Sequence, residues 1–402
     1  MKIVCAYSGG LDTSVMVHWL KERFDAEIIA YTGDLGQGDD LDAIRAKALR
    51  TGASHAVVDD LRERFVHEFI WPAVKANSRY EGTYPLHTAL GRPLLAQRLC
   101  EVADEFGADA IAHGCTGKGN DQVRFEVAAQ CIAPHLKVLA PLREWDLTTR
   151  ELEIEYAVKR NIEIPVTLDK PYSIDENIWG CAIECGEMED LWNEPPEDAW
   201  RMTTDPRECK LPSREITIGF EAGVPVSLDG RLLPGVTLLE ELNELIGSYG
   251  IGRMDMVENR VVGLKSREVY EGPAAVVLLA AHEEIERIVL DRATSTYKRK
   301  IADDFANLVY DGLWFGPLRQ ALQAFVDQTQ IHVTGEVRIR LSAGRYIVTG
   351  RRSPFSLYDD GLATYSEGDT FDRESAEGFL KLYGLSYRTW GAMQRKIGRP
   401  VD

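Results

Sequence analysis

Ala6-Tyr7-Ser8-Gly9-Gly10-Leu11-Asp12-Thr13-Ser14 lies at the joint between two apolar patterns. Before it, Lys2 to Tyr7 carries the continuous run Ile3, Val4, Cys5, Ala6, which predicts a short buried strand. After it, Leu11, Val15 and Trp19 recur at i, i+4 and i+8, the stripe of a core-facing helix. A strand, a Gly-Gly turn and a helix start leave free backbone N–H groups where a phosphate can sit. Glycine lets the chain turn sharply and lets an anion approach without meeting a Cβ. Ser8, Thr13 and Ser14 add hydroxyl donors around the same space.

Two familiar phosphate loops are excluded. A P-loop needs Gly-x4-Gly-Lys-Ser/Thr, and no Lys follows Gly10; the dinucleotide fingerprint Gly-x-Gly-x-x-Gly is also absent. Ser8-Gly9-Gly10-x-Asp12-Thr13-Ser14 instead resembles the pyrophosphate loop of the N-type ATP pyrophosphatases, which cleave ATP between its α and β phosphates. The bland alternative is an ordinary Gly-Gly turn in an α/β domain, and the rest of the chain weighs against it.

Working outward, Glu27 to Thr32 reads as a second strand, followed by the loop Gly33 to Gly38. Asp39 or Asp40 caps a helix with Leu41, Ile44, Ala48 and Leu49 on one face, and Ala56 to Val58 is a third strand. Three β-α units in succession predict a parallel, Rossmann-like sheet with helices on both sides, whose ligands bind beyond the carboxyl ends of the strands. Gly33 lies at that edge. Residues 61–107 read as helical, broken by the aromatic loop Tyr80 to Leu86, which contains Tyr84. Asp109 to Ala112 is a further strand running into His113-Gly114-Cys115-Thr116-Gly117-Lys118-Gly119-Asn120-Asp121-Gln122-Val123-Arg124. Closely spaced glycines are costly to order unless the backbone must approach something. Thr116, Asn120 and Asp121 are candidates to grip an amino acid, and Arg124 a second carboxylate. Leu136 to Leu142 reads as a strand, Thr148 opens a helix to about Asn161, and the first domain ends near Pro165 or Pro171.

The second half reads as α+β. Glu215 to Phe220 and Val224 to Leu228 form a hairpin; Leu238, Leu239, Leu242 and Ile246 mark a helix. Arg253 to Lys265 carries Glu258 on an alternating pattern, and periodicity leaves Ala274 to Ala281 open between helix and strand. Residues 282–330 are helical, and Val337, Ile339 and Leu341 begin a second hairpin ending near Val348. Residues 373–397 read as one helix exposing Phe379, Leu382, Tyr383, Tyr387 and Trp390. Arg351-Arg352 and Lys298-Arg299-Lys300 read as solvated surface or subunit contacts.

The bulk composition narrows the function. The 402 residues suffice for two or more domains. Lys and Arg number 46 against 64 Asp and Glu, a net charge of −18, which argues against a nucleic-acid partner. No apolar run has membrane-spanning length and the N-terminus lacks a signal-peptide pattern. Seven scattered cysteines suit a reducing, cytoplasmic setting with thiols as small core residues and no structural metal. Cys181-x3-Cys185 has helical spacing without a second pair to complete a zinc site.

Four motifs taken together resemble the argininosuccinate synthase family: Ala6 to Ser14, Gly114 to Glu126, Pro171 to Asn177, and Glu258-Asn259-Arg260 with Lys265 to Glu271. They come in that family's order and spacing, from Lys2 into the C-terminal helix. The resemblance implies a nucleotide-binding domain over 1–168, a synthetase domain over 169–368, a C-terminal oligomerisation helix over 369–402, and a homotetramer. It implies that citrulline, aspartate and ATP give argininosuccinate, AMP and pyrophosphate through a citrullyl-AMP intermediate, with Mg²⁺ neutralising the phosphates and Asp12 and Asp121 as its supporters. Residue by residue, it implies ATP at Ala6, Tyr7, Ser8, Gly9, Gly10, Leu11, Asp12, Thr13, Ser14, Gly33 and Gly114. Aspartate falls to Thr116, Asn120 and Asp121, and citrulline to Tyr84, Asn120, Arg124, Ser173, Glu258 and Tyr270. Two places depart from the common pattern. Many members show Gly-Thr-Ser where His87-Thr88-Ala89 stand here, and a His and then a Ser where Gly180 and Ala182 stand. Both serines are credited with citrulline contacts, so the alternative is a related ligase for another ureido or guanidino substrate.

Other classes fit less well. A sulfur-inserting tRNA enzyme would want a basic face, a glutamine amidotransferase a nucleophilic cysteine domain ahead of the first strand. A nucleotide sensor would have no use for Arg124, Glu258 and Tyr270, all present.

Overall fold

The computed structural model describes residues 1–163 and 172–399; the domain boundary expected near Pro165 or Pro171 lies outside them. The first part alternates β1 (Lys2–Ala6), α1 (Leu11–Phe24), β2 (Glu27–Asp34), α2 (Leu41–Arg50) and β3 (His55–Asp60). It continues through α3 (Arg62–Phe65), a π-helical turn (Val66–Ile70), α4 (Trp71–Ala76) and α5 (His87–Phe106), and returns with β4 (Ala110–Ala112), α6 (Asp121–Ile132), β5 (Lys137–Leu139) and α7 (Arg150–Lys159). The five strands form one parallel sheet in the order β3-β2-β1-β4-β5. β1 is central, with Ile3 opposite Ile28 on one side and Ala110 on the other. Its side chains alternate between two cores: Ile3 and Cys5 pack with Val15, Met16 and Leu20 of α1, and Val4 packs with Leu99 and Ala103 of α5. Parallel strands send the loops after β1, β2 and β4 off the same edge.

Several boundaries shift for identifiable reasons. β2 runs through Gly33, because Gly33 and Asp34 pair with Asp59 and Asp60 of β3. The strand expected over Leu136 to Leu142 shrinks to Lys137–Leu139; Pro141 has no N–H for a ladder and opens a 3-10 turn. On α2 only Ala48 is buried, and Leu49 is exposed. Cys181 and Cys185 are not on a helix; Cys181 lies in the strand that ends just before Cys185. Cys5, Cys100 and Cys181 are buried, whereas Cys131 and Cys185 are exposed, so only part of the set serves as core.

The second part has β6 (Ser173–Asn177), β7 (Gly180–Glu184), β8 (Arg214–Glu221), β9 (Val224–Leu228), β10 (Arg231–Leu232), α8 (Gly235–Gly247), β11 (Arg253–Asn259) and β12 (Lys265–Glu271). α9 (Pro273–Val289), α10 (Arg292–Tyr310), α11 (Pro317–Gln330), β13 (Gly335–Ser342) and β14 (Arg345–Arg352) complete it. It holds two more sheets, in the orders β10-β9-β8-β13-β14 and β11-β12-β7-β6, and every pairing within them is antiparallel. The apolar run Ala274 to Ala281 is the first half of α9. Its residues are apolar nearly all round because the helix is sunk in the largest core, and Pro273 starts it where a missing N–H does no harm.

Lys298 corrects the surface reading of Lys298-Arg299-Lys300. It falls on the inner face of α10 with Ile301 and Phe305 and is buried, its Nζ 2.8 Å from Glu286 Oε1. Asn77 Nδ2 and Gln330 Nε2 also donate to Glu286, at 2.6 and 2.7 Å. Residues from Ser356 onward form a separate compact unit. It contains α12 (Asp360–Ala363), α13 (Arg373–Tyr383) and α14 (Leu385–Lys396), so the single helix expected over 373–397 is two, joined at Gly384. No residue of these helices is buried, and Phe379, Leu382, Tyr383, Tyr387 and Trp390 are all exposed.

Two outcomes are expected of this fold. Lys298→Met leaves Glu286 as a buried charge without its cation and should cost about 3 kcal/mol, measured by denaturant unfolding at pH 7. Glu153 on α7 sits beside Asp12 of α1; burial, then the Asp12 carboxylate, push it up to about 8. The unfolded chain loses that proton near pH 4.3, as a free glutamate does. Between those values the folded state holds the extra proton, so this group's share of stability falls as pH rises from about 5 to 8. Glu153→Gln, which copies the protonated carboxyl, should shrink the drop in Tm over that range.

Candidate active site

A cleft of about 980 Å³ opens at the carboxyl edge of the parallel sheet and reaches the β11–β12 hairpin. Every residue singled out from the sequence lines it except Gly9 and Ser14. Those two stand behind the loop. Gly9 has φ +76°, a left-handed conformation that favours glycine, and its carbonyl accepts from Lys47 Nζ. Ser14 is fully buried; its hydroxyl donates to the Gly10 carbonyl at 2.7 Å and touches the Tyr7 hydroxyl at 3.2 Å. Ser14 therefore braces the start of α1 rather than facing the cleft.

Gly10 is the N-cap of α1 and no side chain caps it, so first-turn N–H groups remain available for an anion. Ser8 and Thr13 share a hydroxyl contact of 3.2 Å beside them. Gly114 brings the end of β4 against the same loop: a Cβ there would lie 3.4 Å from Thr13 Cγ2. Gly33 is glycine for packing, since a Cβ would meet Leu95 Cδ2 of α5 at 2.6 Å.

The wall next to the loop is built on charge. Asp121, first residue of α6, accepts from Arg124 Nη1 at 3.0 Å and from Arg92 Nε at 2.8 Å. Arg92 also grips Asp175 of β6. Burial alone would raise Asp121, but Arg92 and Arg124 outweigh it and hold the carboxyl below its usual range. Asp175 goes the other way, raised by burial and the Asp121 charge against the pull of Arg92. Arg124 is only 4% exposed and donates from Nε to the Tyr310 carbonyl at 3.1 Å. Thr116 and Ser173 are exposed at the rim.

Opposite lies a carboxylate set in tyrosines. Glu258, on β11, is 2% exposed and accepts from the hydroxyls of Tyr270 and Tyr310. Burial raises its carboxyl above the ordinary range despite both hydrogen bonds. Asn120 spans the two walls: its Nδ2 donates to the Tyr310 hydroxyl at 2.8 Å, and its Oδ1 accepts from Val261 N at 3.0 Å. Tyr84 stacks on Tyr270 with ring centroids 4.0 Å apart, and its hydroxyl accepts from Thr88 N.

The departures from the family pattern fall together here. His87, first residue of α5, packs edge-on against Tyr84, and a Cβ at Gly180 would lie 2.5 Å from its ring. Ala182 lines the cleft; Ala89 is fully buried and does not.

The sequence reading passed over four contributors. Arg92 sits in the middle of α5 with nothing in its spacing to distinguish it. Tyr310 ends α10 and reaches Asn120 across 190 positions. Arg260 pairs with Glu184 at 2.7 Å and with Glu268, whose carboxyl is pushed up to about 7 by burial and by Glu184. A period-2 reading of β12 had the information for Glu268, since it shares a face with Tyr270.

Comparison with known proteins agrees along the chain. The profile of the Arginosuccinate synthase N-terminal HUP domain matches residues 2–163, and that of the Arginosuccinate synthase C-terminal domain matches 172–390. The argininosuccinate synthase of Pelodictyon phaeoclathratiforme is 55% identical over 97% of this chain and 97% of its own length. Those of Chlorobium phaeobacteroides strain BS1 and Chlorobaculum tepidum are each 56% identical, over 98% and 97% of both chains. With the phosphate loop, the arginine-bound carboxylates and the tyrosine-held glutamate in one cleft, these matches place the chain in the argininosuccinate synthase family.

Proposed function

We propose that this chain joins citrulline to aspartate at the expense of ATP, giving argininosuccinate, AMP and pyrophosphate in arginine biosynthesis. The observation that carries the reading is that a helix N-terminus suited to phosphate, a buried arginine and a buried glutamate line one cleft. Citrulline offers a carboxylate to Arg124 and an ammonium to Glu258, with Tyr84, Asn120, Ser173 and Tyr270 around it. Aspartate takes the Thr116, Asn120 and Asp121 side. Asp121 serves there as part of an ion network, because two guanidiniums already hold its oxygens. ATP lies along Ala6 to Ser14, Gly33 and Gly114, with Gly9 and Ser14 shaping the loop from behind.

The chemistry asks little covalent work of side chains. The ureido oxygen attacks the α-phosphorus, an O–P bond forms, and the bond to pyrophosphate breaks with its electron pair. The aspartate amine then attacks the activated carbon, AMP leaves, and the amine gives up its proton. N–H groups at the start of α1 meet the charge gathering on pyrophosphate, and Arg124 and Glu258 fix the ureido group for attack. Mg²⁺ is bound in other proteins through one or two carboxylates plus substrate phosphates. Asp12, exposed beside Ser8 and Thr13 at the mouth of the loop, fits that donor chemistry; Asp121, held by two arginines, does not. When bound, the ion would neutralise phosphate charge.

The parts 1–168, 169–368 and 369–402 then serve nucleotide, amino acids and subunit contact, in a cytoplasmic homotetramer. The exposed stripe of Phe379, Leu382, Tyr383, Tyr387 and Trp390 supports that assembly. No described helix is long and apolar enough to cross a membrane. Full-length relatives more than half identical favour citrulline over another ureido compound.

The purified protein should release pyrophosphate from ATP only with citrulline, and form argininosuccinate by mass spectrometry when aspartate is added. ATP binding without citrulline-dependent release would sink the assignment. Glu258 must be ionised to hold an ammonium, and burial raises its carboxyl. The kcat/KM for citrulline should therefore fall as pH drops, on a limb lying above the ordinary glutamate value of about 4.3.

A further inference from the structure

We propose that His87 is a positioning residue for the citrulline pocket, a wedge that fixes the Tyr84–Tyr270 pair and for which Gly272 and Gly180 leave room. The inference rests on the substrate reading above.

Three observations converge on the ring. First, it is fully buried and neither nitrogen has a hydrogen-bond partner. An unpaired buried polar group costs about 1–3 kcal/mol, so an aliphatic filler would serve better if filling were the only task. Second, the ring meets both pocket tyrosines on edge, Tyr84 at 5.4 Å and 79° and Tyr270 at 6.0 Å and 68°. Edge-to-face contact sets the positive rim of one ring against the negative face of another, so it resists sliding of the stacked pair. Third, the backbone is bent to deliver it. Leu86, just before, is left-handed at φ +69° although fully buried, a conformation that strains a side chain with a Cβ.

The surroundings are cut to the ring. A Cβ on Gly180 would lie 2.5 Å from His87 Nε2, but also 2.4 Å from the Glu271 carbonyl, so that glycine answers to two constraints. Gly272 is the cleaner witness. A Cβ there would again be 2.5 Å from Nε2, and its other near neighbour is Ala275 Cβ at 3.2 Å. Gly272 has no positive φ to require glycine on its own account. The His87 carbonyl meanwhile accepts from Asn177 Nδ2 at 3.1 Å, tying the same residue to the end of β6. His87 does not line the cleft, so it acts through the tyrosines and not on substrate.

A double-mutant cycle in steady-state kinetics tests this. His87→Ala should raise the citrulline KM about tenfold while the KM values for ATP and aspartate and kcat stay within about threefold. Gly272→Ala, which presses on the ring from behind, should raise the same KM, and in the His87→Ala background should add less than about twofold. His87→Phe, restoring an aromatic edge, should recover most of the loss; this variant and Gly272→Ala decide the matter if His87→Ala does not fold. Unchanged citrulline KM in His87→Ala, or fully additive effects of the two alanines, would overturn the role of His87 while wild-type turnover leaves the substrate reading intact. Where both alanine variants can be read, no recovery in His87→Phe overturns the aromatic-edge part of it. A wild-type enzyme without citrulline-dependent pyrophosphate release overturns both.

Discussion

Arg92 lies between two carboxylates that come from different halves of the chain, Asp121 of α6 and Asp175 of β6. A buried ion pair holds together only when its remaining donors and acceptors are satisfied, and removing one member leaves an uncompensated charge. Asp121 meets that condition by taking Arg124 on its other oxygen. The network therefore sets three things at once: the start of α6, the approach of β6 to α5, and the direction of Arg124. The parallel sheet supplies the loops, but this charge cluster decides how the second half of the chain faces them.

What could be read from the sequence follows the range of the interactions involved. β1, its Gly-Gly turn and α1 are written within two dozen residues, and Ile3, Val4 and Val15 are as buried as their pattern implies. The hairpin of β8 and β9 was readable for the same reason. Lys298 was not: only Glu286, Asn77 and Gln330, from three other helical and loop segments, make its burial affordable. Arg92 and Tyr310 were illegible because their partners lie from 29 to 190 positions away. Glu258 has no local signal; its place in a family motif singled it out, and the tyrosines holding it give the physical reason. The undecided run at Ala274 shows the limit of periodicity, since a helix buried on every side has no polar face to reveal its period.

The two walls of the cleft handle charge differently. On the Arg124 side, opposite charges are packed together and titration is pushed away from neutrality. On the Glu258 side a lone carboxylate is held by neutral hydroxyls, so its ionisation stays responsive to what arrives. An amino acid with both charges spans this contrast in one orientation only, and a reversed molecule would set its ammonium against Arg124.

The proton on Glu153 has a consequence for the loop above it. Asp12 already places one negative charge at the mouth of α1, and an ionised Glu153 would add a second beneath a polyanion. The folded protein keeps that carboxyl neutral before nucleotide arrives. Binding of ATP at neutral pH then has no need to draw a proton from solution at this position, and its measured heat should carry little dependence on the ionisation enthalpy of the buffer.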